Sequence, residues 1–480
     1  MSFIAMPKPD AAIIARRSEI AECLRAIVGD AGLIVSEDER RAYETDALTA
    51  YSAIPLAVVL PATTQEVSAV LKYLNEERVP VIARGAGTSL AGGALPSEDA
   101  VVLGVSRMSA VLDMNFADRV ATVQAGITNI AISQAVAHEQ FFYAPDPSSQ
   151  LACTIGGNIA MNSGGAHCLK YGVTTNNLLG VRMVLMDGTI VDIGGEQLDS
   201  GGYDLLGLVC GSEGQFGVVT EAKVRILRQA EGARPVLFGF DSAEDAGACV
   251  ADILAQGIIP VAIEYMDKPA IKVCEAFAHA GYPLDVEALL IVEVEGSDEE
   301  IDAMIARIVE VAEKHGSRTQ RVARTEAESL AIWKGRKQAF GAMGRIADYM
   351  CMDGTIPTGR LPEVLTKITE ICTRHGLGIA NIFHAGDGNL HPLILYDINK
   401  PGELEKAEQA GAEILKLCVE VGGCLTGEHG VGVEKRDIMP AQYSPDDLEI
   451  QMQVKDVFDP HWVLNPAKVF PLDASAGRRR

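Results

Sequence analysis

Residues 84–93 read Arg84-Gly85-Ala86-Gly87-Thr88-Ser89-Leu90-Ala91-Gly92-Gly93, and their surroundings decide the fold. Upstream, Leu56-Ala57-Val58-Val59-Leu60 is an apolar run of strand length, closed by Pro61. Thr63-Thr64-Gln65-Glu66 has the form of a capping box, a hydroxyl at the cap and a carboxylate three residues on. The helix it opens carries Val67, Val70, Leu71 and Leu74 on one face. Residues 79–83 are a second strand, so residues 56–83 predict a βαβ unit. The glycine loop leaves that second strand. Successive amides in such a loop can cradle phosphate. It is not a P-loop, because Gly-Lys-Ser/Thr is missing. It is not the dinucleotide fingerprint either, which needs glycine where Leu90 stands and opens a helix directly after the first strand. An ordinary connection is the competing reading.

Working outward, residues 101–103 and 119–124 read as strands and residues 128–139 as a helix. Pro145-Asp146-Pro147 leads into Thr154-Ile155-Gly156-Gly157-Asn158-Ile159-Ala160-Met161-Asn162-Ser163-Gly164-Gly165, with Tyr171-Gly172 close behind. Glycines in that number let a backbone approach a flat ligand. Ile155, Ile159 and Met161 favour partial burial over a flexible surface loop. Residues 181–186 and 189–193 flank Asp187-Gly188, a hairpin signal. A third cluster, Gly211-Ser212-Glu213-Gly214-Gln215-Phe216-Gly217-Val218-Val219-Thr220, runs into a strand. Three glycine clusters, each beside a strand, point to a large cofactor.

The chain has 480 residues, enough for two or three domains, with 48% hydrophobic residues and a net charge of −24. That charge repels nucleic acid and anionic membranes. No apolar run reaches the length of a membrane span, and residues 1–10 lack a signal-peptide core. The expectation is a cytoplasmic protein, with docking at the inner membrane through a partner left open. None of the ten cysteines forms Cys-x-x-Cys, so neither a disulfide framework nor an iron–sulfur cluster is expected. Arg478 to Arg480 read as a frayed tail.

Near Arg228 the texture changes. Strands at 236–240, 262–266 and 288–295 alternate with helices at 243–256 and 298–315, as in a ferredoxin-like α+β layer. Thr325-Glu326-Ala327-Glu328 opens a helix on which Arg336 follows Trp333 by one turn. Arginine's fork suits a carboxylate, although a solvated helix arginine fits the sequence as well. Residues 352–357 are strand-like and residues 361–375 helical. Then comes Ile382-Phe383-His384-Ala385-Gly386-Asp387-Gly388-Asn389-Leu390-His391, two histidines around a turn, and later Thr426-Gly427-Glu428-His429-Gly430. Two histidines and a glutamate can form a catalytic metal triad with one open position. Loop histidines with ordinary hydrogen bonds are the bland alternative.

Taken together and in this order, the glycine clusters resemble the FAD-binding domain of the vanillyl-alcohol oxidase/PCMH superfamily. His384 to His391, Gly427 to Gly430 and Leu464 to Phe470 resemble the C-terminal domain of FAD-linked D-2-hydroxyacid dehydrogenases. That group includes D-lactate and D-2-hydroxyglutarate dehydrogenases and the D subunit of bacterial glycolate oxidase. Tyr349-Met350-Cys351-Met352-Asp353-Gly354-Thr355-Ile356-Pro357 looks closest to the last of these. The resemblance implies an α+β chain: an N-terminal helical segment (1–50), a PCMH-type two-part FAD-binding domain (51–230), a ferredoxin-like substrate/cap domain with C-terminal helices (231–454), and a segment returning to the flavin domain (455–480).

The resemblance also implies roles. Arg84, Gly85, Ala86, Gly87, Thr88 and Ser89 would wrap the FAD diphosphate. Pro145, Asp146, Thr154, Gly156, Gly157, Asn158, Asn162, Ser163, Gly164, Gly165, Glu213, Gly217, Val218 and Asn465 would line the rest of it. Some relatives tether FAD through a histidine where Thr88 stands, so non-covalent FAD is expected. His384, His391 and Glu428 match the family's ligands for a divalent metal, zinc by preference. His429 matches its general base, Arg336 its carboxylate anchor, and Asn389 would help hold substrate. Cys351 stands near the place of a lysine that holds the second carboxylate in the 2-hydroxyglutarate enzymes, which favours small monocarboxylates, glycolate or D-lactate. The expected reaction is FAD-dependent oxidation of a 2-hydroxy acid, glycolate to glyoxylate first. The expected partners are iron–sulfur and second flavin-type subunits or a quinone-linked acceptor, and a homodimer is allowed. The competing readings are a self-sufficient D-lactate dehydrogenase, a D-2-hydroxyglutarate dehydrogenase and a non-catalytic flavin-binding subunit.

Overall fold

The computed structural model describes residues 4–197, 201–476 and 478. The chain divides into two bodies. One comprises Ile4–Gly164, Gly172–Gln229 and the residues from Glu428 on; the other comprises Gly165–Tyr171 and Ala230–Gly427.

In the first body, β1 (Leu33–Ile34), β2 (Ala57–Val59), β3 (Val81–Arg84) and β4 (Val101–Gly104) form a sheet in the order β1-β2-β4-β3. β2 and β3 each run parallel to β4. The expected βαβ unit is therefore opened: β4 lies between its two strands. Val101, Val102 and Leu103 are fully buried, and a strand apolar on both faces belongs in the middle of a parallel sheet. Helix Thr64–Glu76 starts as its sequence demands, with Thr63 Oγ1 accepting from Glu66 N at 3.1 Å. The Glu66 carboxylate accepts from Ala62 N at 2.7 Å instead of from the cap residue, so the box closes one residue early.

The second sheet of this body joins β5 (Val111–Asn115), β6 (Val120–Gln124), β8 (Leu178–Val184), β9 (Ile190–Gly194) and β10 (Val218–Arg225) in the antiparallel order β5-β6-β10-β8-β9. β7 (Phe141–Phe142) pairs separately with β11 (Leu227–Arg228). Helix Arg17–Val28 buries Ile20, Leu24 and Val28 in the same core as Val67, Leu71, Val101 and Leu464. The end of the chain closes this body. Leu464 bridges Val81 in parallel, and Asn465 accepts from Ala83 N at 3.0 Å while donating to Gly214 O at 2.8 Å. Arg478 is not frayed: its Nε lies 3.1 Å from Asp456 and its guanidinium also pairs with Glu449. Arg479 and Arg480 lie outside the described residues.

The second body holds a seven-stranded sheet of β12 (Gly232–Phe240), β13 (Ala262–Asp267), β14 (Ala288–Gly296), β15 (Thr319–Val322), β16 (Asp348–Cys351), β17 (Gly378–His384) and β18 (Pro392–Tyr396). Its order is β15-β12-β14-β13-β17-β18-β16, antiparallel throughout. The first four strands with helices Ala243–Ala255 and Asp298–Lys314 make the expected α+β layer, and the last three extend it. The strand expected at residues 352–357 sits earlier, as β16. Beyond it Thr355 makes only bridges, to Asn389 and Cys424. The turn between β17 and β18 requires glycine. Gly388 has φ +75°, and a Cβ there would meet the Ile356 carbonyl oxygen at 2.1 Å.

Candidate functional site

The first body contains a cavity of about 190 Å³. Its floor is the loop that leaves β3: all of Arg84, Gly85, Ala86, Gly87, Thr88 and Ser89 line it. Thr154, Gly156, Gly157, Asn158 and Ser163 add a second wall, and Glu213, Gly217, Val218 and Asn465 a third. Helix Ile155–Met161 is capped by Thr154, whose Oγ1 accepts from Gly157 N at 3.3 Å. A Cβ on Gly85 would stand 2.3 Å from that same oxygen, so loop and helix approach as only glycine permits. Arg84 donates from its guanidinium to Thr45 O at 2.7 Å. A glycine-rich loop beside a helix start suits a diphosphate.

Other expected lining residues sit elsewhere. Pro145 O accepts from the buried Asn129 side chain at 3.0 Å, and Asn162 Oδ1 accepts from Thr175 N at 2.8 Å. Gly164 N donates to Glu428 Oε2 at 3.0 Å. Neither these three nor Asp146 is among the lining residues, and Gly165 belongs to the other body. Glu428 and His429 do line the cavity. Glu213 is fully engaged in holding the loop behind them, accepting from Val431 N and Gly432 N at 2.7 Å each. Burial pushes the Glu213 carboxyl up, and those two amides pull against it.

The second body gathers the other polar groups. His384 ends β17, His391 precedes β18, and their rings lie 5.3 Å apart at 81°. The bridge between His384 and Asn389 folds the turn back. His391 Nε2 is 3.4 Å from Asp353, a fully buried carboxylate that also accepts from Gly427 N at 3.0 Å. Asp353 thereby fixes the chain one residue before Glu428. Arg336 is 5% exposed, which rules out the solvated reading. Its Nε donates to Glu264 Oε2 at 2.7 Å, and Glu264 Oε1 accepts from His384 Nδ1 at 2.7 Å. Burial alone would raise the Glu264 carboxyl; Arg336 and His384 outweigh it and hold the group below the usual range. Trp333, one turn earlier, donates to Glu293 at 2.8 Å. Asn389 is buried, with no hydrogen-bond partner for Oδ1.

Glu264 and Glu293 escaped the sequence reading. Each is an acid flanked by apolar residues within its strand, and that is the available signal, because a buried carboxylate demands partners. Two imidazoles at right angles next to carboxylates form a donor set that fits a divalent metal of borderline softness.

The chain matches the FAD binding domain over residues 55–194 and the C-terminal domain of FAD linked oxidases over residues 230–469. It is 49% identical over 456 residues to "Glycolate oxidase subunit GlcD" of Escherichia coli (strain K12), covering 95% of this chain and 91% of that protein. The subunit of the same name from Bacillus subtilis (strain 168) is 37% identical, covering 95% of this chain and 97% of that one. A D-lactate dehydrogenase of Archaeoglobus fulgidus is 34% identical, covering 90% and 95%. Among solved structures, p-cresol methylhydroxylase with substrate bound superposes with a TM-score of 0.81 at 18% identity, covering 97% of this chain and 98% of that chain. A 4-ethylphenol oxidase from Gulosibacter chungangensis gives a TM-score of 0.80 at 18% identity, covering 96% and 98%. Those two share the fold. No helix among the described residues is long and apolar enough to cross a membrane. The paired domain matches and the sustained identity make this chain a flavoprotein oxidoreductase that belongs to the FAD-linked oxidases.

Proposed function

We propose that the chain oxidises a small 2-hydroxy monocarboxylate, glycolate to glyoxylate first, as the FAD-bearing subunit of a larger assembly. The observation that carries this reading is its 49% identity over 456 residues with a glycolate oxidase subunit. The chemistry of the residues supports it. The cavity lined by the glycine-rich loop fits a non-covalent FAD, with threonine at position 88. His384, His391 and Glu428 would hold a divalent metal, zinc by donor type. When bound, the metal polarises the substrate hydroxyl and the flavin takes up the hydride. His429 accepts the hydroxyl proton as general base. Arg336 grips the substrate carboxylate and so fixes which α-hydrogen faces the flavin. Asn389 offers a buried amide to the substrate. Cys351, 5% exposed on β16, carries no charge for a second carboxylate.

Reduced flavin must pass its electrons on, and the chain's cysteine spacing offers no cluster of its own. An iron–sulfur subunit, a second flavin-type subunit or a quinone-linked acceptor would take them, which would place the protein in the cytoplasm or peripherally at the inner membrane. A D-lactate dehydrogenase that works alone is the second reading, favoured by the relative of that name at 34% identity. Anaerobic spectra of the oxidised protein with glycolate, D-lactate, L-lactate and D-2-hydroxyglutarate separate the two. Glycolate should bleach the flavin fastest. Faster bleaching by D-lactate selects the second reading, and no bleaching by any of them refutes both.

A further inference from the structure

We propose that Glu264 is a positioning residue of this site: one carboxylate that orients His384 toward a metal and Arg336 toward a substrate carboxylate. The inference rests on the reading above, in which His384 is a ligand and Arg336 an anchor.

Glu264 sits in the middle of β13, between Ala262, Ile263, Tyr265 and Met266, none more than 1% exposed. A charge in that setting destabilises the fold unless every lone pair finds a donor. Both oxygens do. Oε1 meets His384 Nδ1 at 2.7 Å; Oε2 meets Arg336 Nε and Nη2, each at 2.7 Å. The arrangement is fixed by three elements. The antiparallel register of β13 and β17 sets Glu264 directly opposite His384, and helix Glu326–Lys337 brings Arg336 onto the same carboxylate.

The chemistry of each partner follows. An ionised carboxylate only accepts, so His384 must carry its hydrogen on Nδ1, and Nε2 is left with the lone pair. That is the tautomer a metal ligand needs, and carboxylate–imidazole pairs of this kind orient ligands in metal sites generally. On Arg336 the carboxylate takes the Nε hydrogen, and Nη2 lies 2.7 Å from the same oxygen in the ion pair without a hydrogen bond to it. Among the described residues no hydrogen bond engages Nη1 or Nη2, and their N–H groups remain for another anion. One side chain thus sets two groups that must act on the same substrate.

Glu293 supplies the internal contrast. It lies on the neighbouring strand, accepts from Trp333 Nε1 at 2.8 Å on the same helix, and lies 3.1 Å from His167. It staples the helix to the sheet without touching His384 or Arg336.

The test uses the full-length flavoprotein stripped of metal by chelation. Zinc affinity is read by competition with a chromogenic chelator, and ligand geometry by the visible spectrum after loading with Co2+. Wild type is compared with Glu264→Gln, Glu264→Asp and Glu293→Gln. The glutamine amide would donate to Nδ1 or leave Arg336 facing an NH2, and the aspartate cannot reach both partners. Glu264→Gln and Glu264→Asp should weaken zinc about 10- to 100-fold and alter the Co2+ spectrum, with flavin content retained. Glu293→Gln should keep wild-type zinc affinity. Three outcomes overturn the proposal. One is unchanged zinc affinity in both Glu264 variants. Another is an equal loss in Glu293→Gln, which would make the effect that of a general staple. The third is failure of both Glu264 variants to fold with flavin, which would make the carboxylate a fold element. A wild-type protein that binds no zinc, or a His384→Ala variant that keeps it, refutes the underlying reading along with the inference.

Discussion

Gly85→Ala tests how the proposed flavin cavity is built. The new methyl carbon would sit 2.3 Å from Thr154 Oγ1, roughly 1 Å short of ordinary contact. The backbone at position 85 tolerates alanine, since its φ is not among the positive ones, so the collision is with Thr154 alone. Two escapes exist. Thr154 can rotate, and helix Ile155–Met161 then loses the cap bond from Gly157 N, at a cost of about 1 kcal/mol. Or the loop can withdraw by about 1 Å, which in the proposed FAD site would stretch an amide–phosphate hydrogen bond from about 2.9 Å beyond the working range. Each charge-assisted bond of that kind contributes about 1.5–3 kcal/mol, so FAD affinity should fall about tenfold to a hundredfold. The assay is titration of apoprotein with FAD, followed by quenching of flavin fluorescence, beside thermal unfolding of the apoprotein by circular dichroism. The first escape appears as a lower melting point and the second as a weaker FAD constant. A variant matching wild type on both counts would refute the close approach of loop and helix, and with it the proposed diphosphate site.

Other perturbations have worked-out signs. Arg336→Lys keeps the charge but loses the fork shared with Glu264, so steady-state rates should show KM for the 2-hydroxy acid rising more than kcat falls; an unchanged KM would remove Arg336 from substrate binding. Lys455 and Asp459 are fully buried 3.0 Å apart, and Lys455→Met leaves the carboxylate uncompensated. The urea midpoint should drop by the equivalent of about 3–5 kcal/mol, and no drop would mean the pair is dispensable. Burial depresses Lys468 to about 7, against an ordinary 10.5. Between those two values the unfolded chain holds a proton that the folded chain has released, so this lysine makes stability rise with pH across the window and contributes no slope below it. Melting curves from pH 6 to 9 should show a rise above pH 7 that is absent in Lys468→Met; parallel curves would refute it.

What the sequence disclosed was whatever short-range chemistry encodes. The cap at Thr63, the Asp187-Gly188 hairpin and the glycine loop leaving β3 each depend on residues within a few positions of one another. The insertion of β4 between β2 and β3 depends on which strand can be covered on both faces, a property of the assembled body. The same divide runs through the site. His384 and His391 announce themselves by a turn between them. Arg336 reads as a solvent-facing helix residue until β13 supplies its partner 72 positions away. Glu264 looks like a stray acid in a strand until the register with β17 shows what it faces. Glu213, grouped with the cofactor residues by the family resemblance, lines the cavity yet spends both oxygens on the loop after His429.

The return of residues 464–465 to β3 makes the strand before the glycine loop depend on a distant part of the sequence. Leu464 and Asn465 complete the edge of β3 and hold Gly214, both beside the loop that would carry the diphosphate. Residues 464 and 465 must be in place before that edge is finished. A diphosphate site on that loop would therefore depend on a contact between residues 382 positions apart in the sequence. A truncation that keeps residues 84–89, 154–163 and 213–218 but removes the residues from Leu464 on, Asn465 among them, should yield a colourless protein.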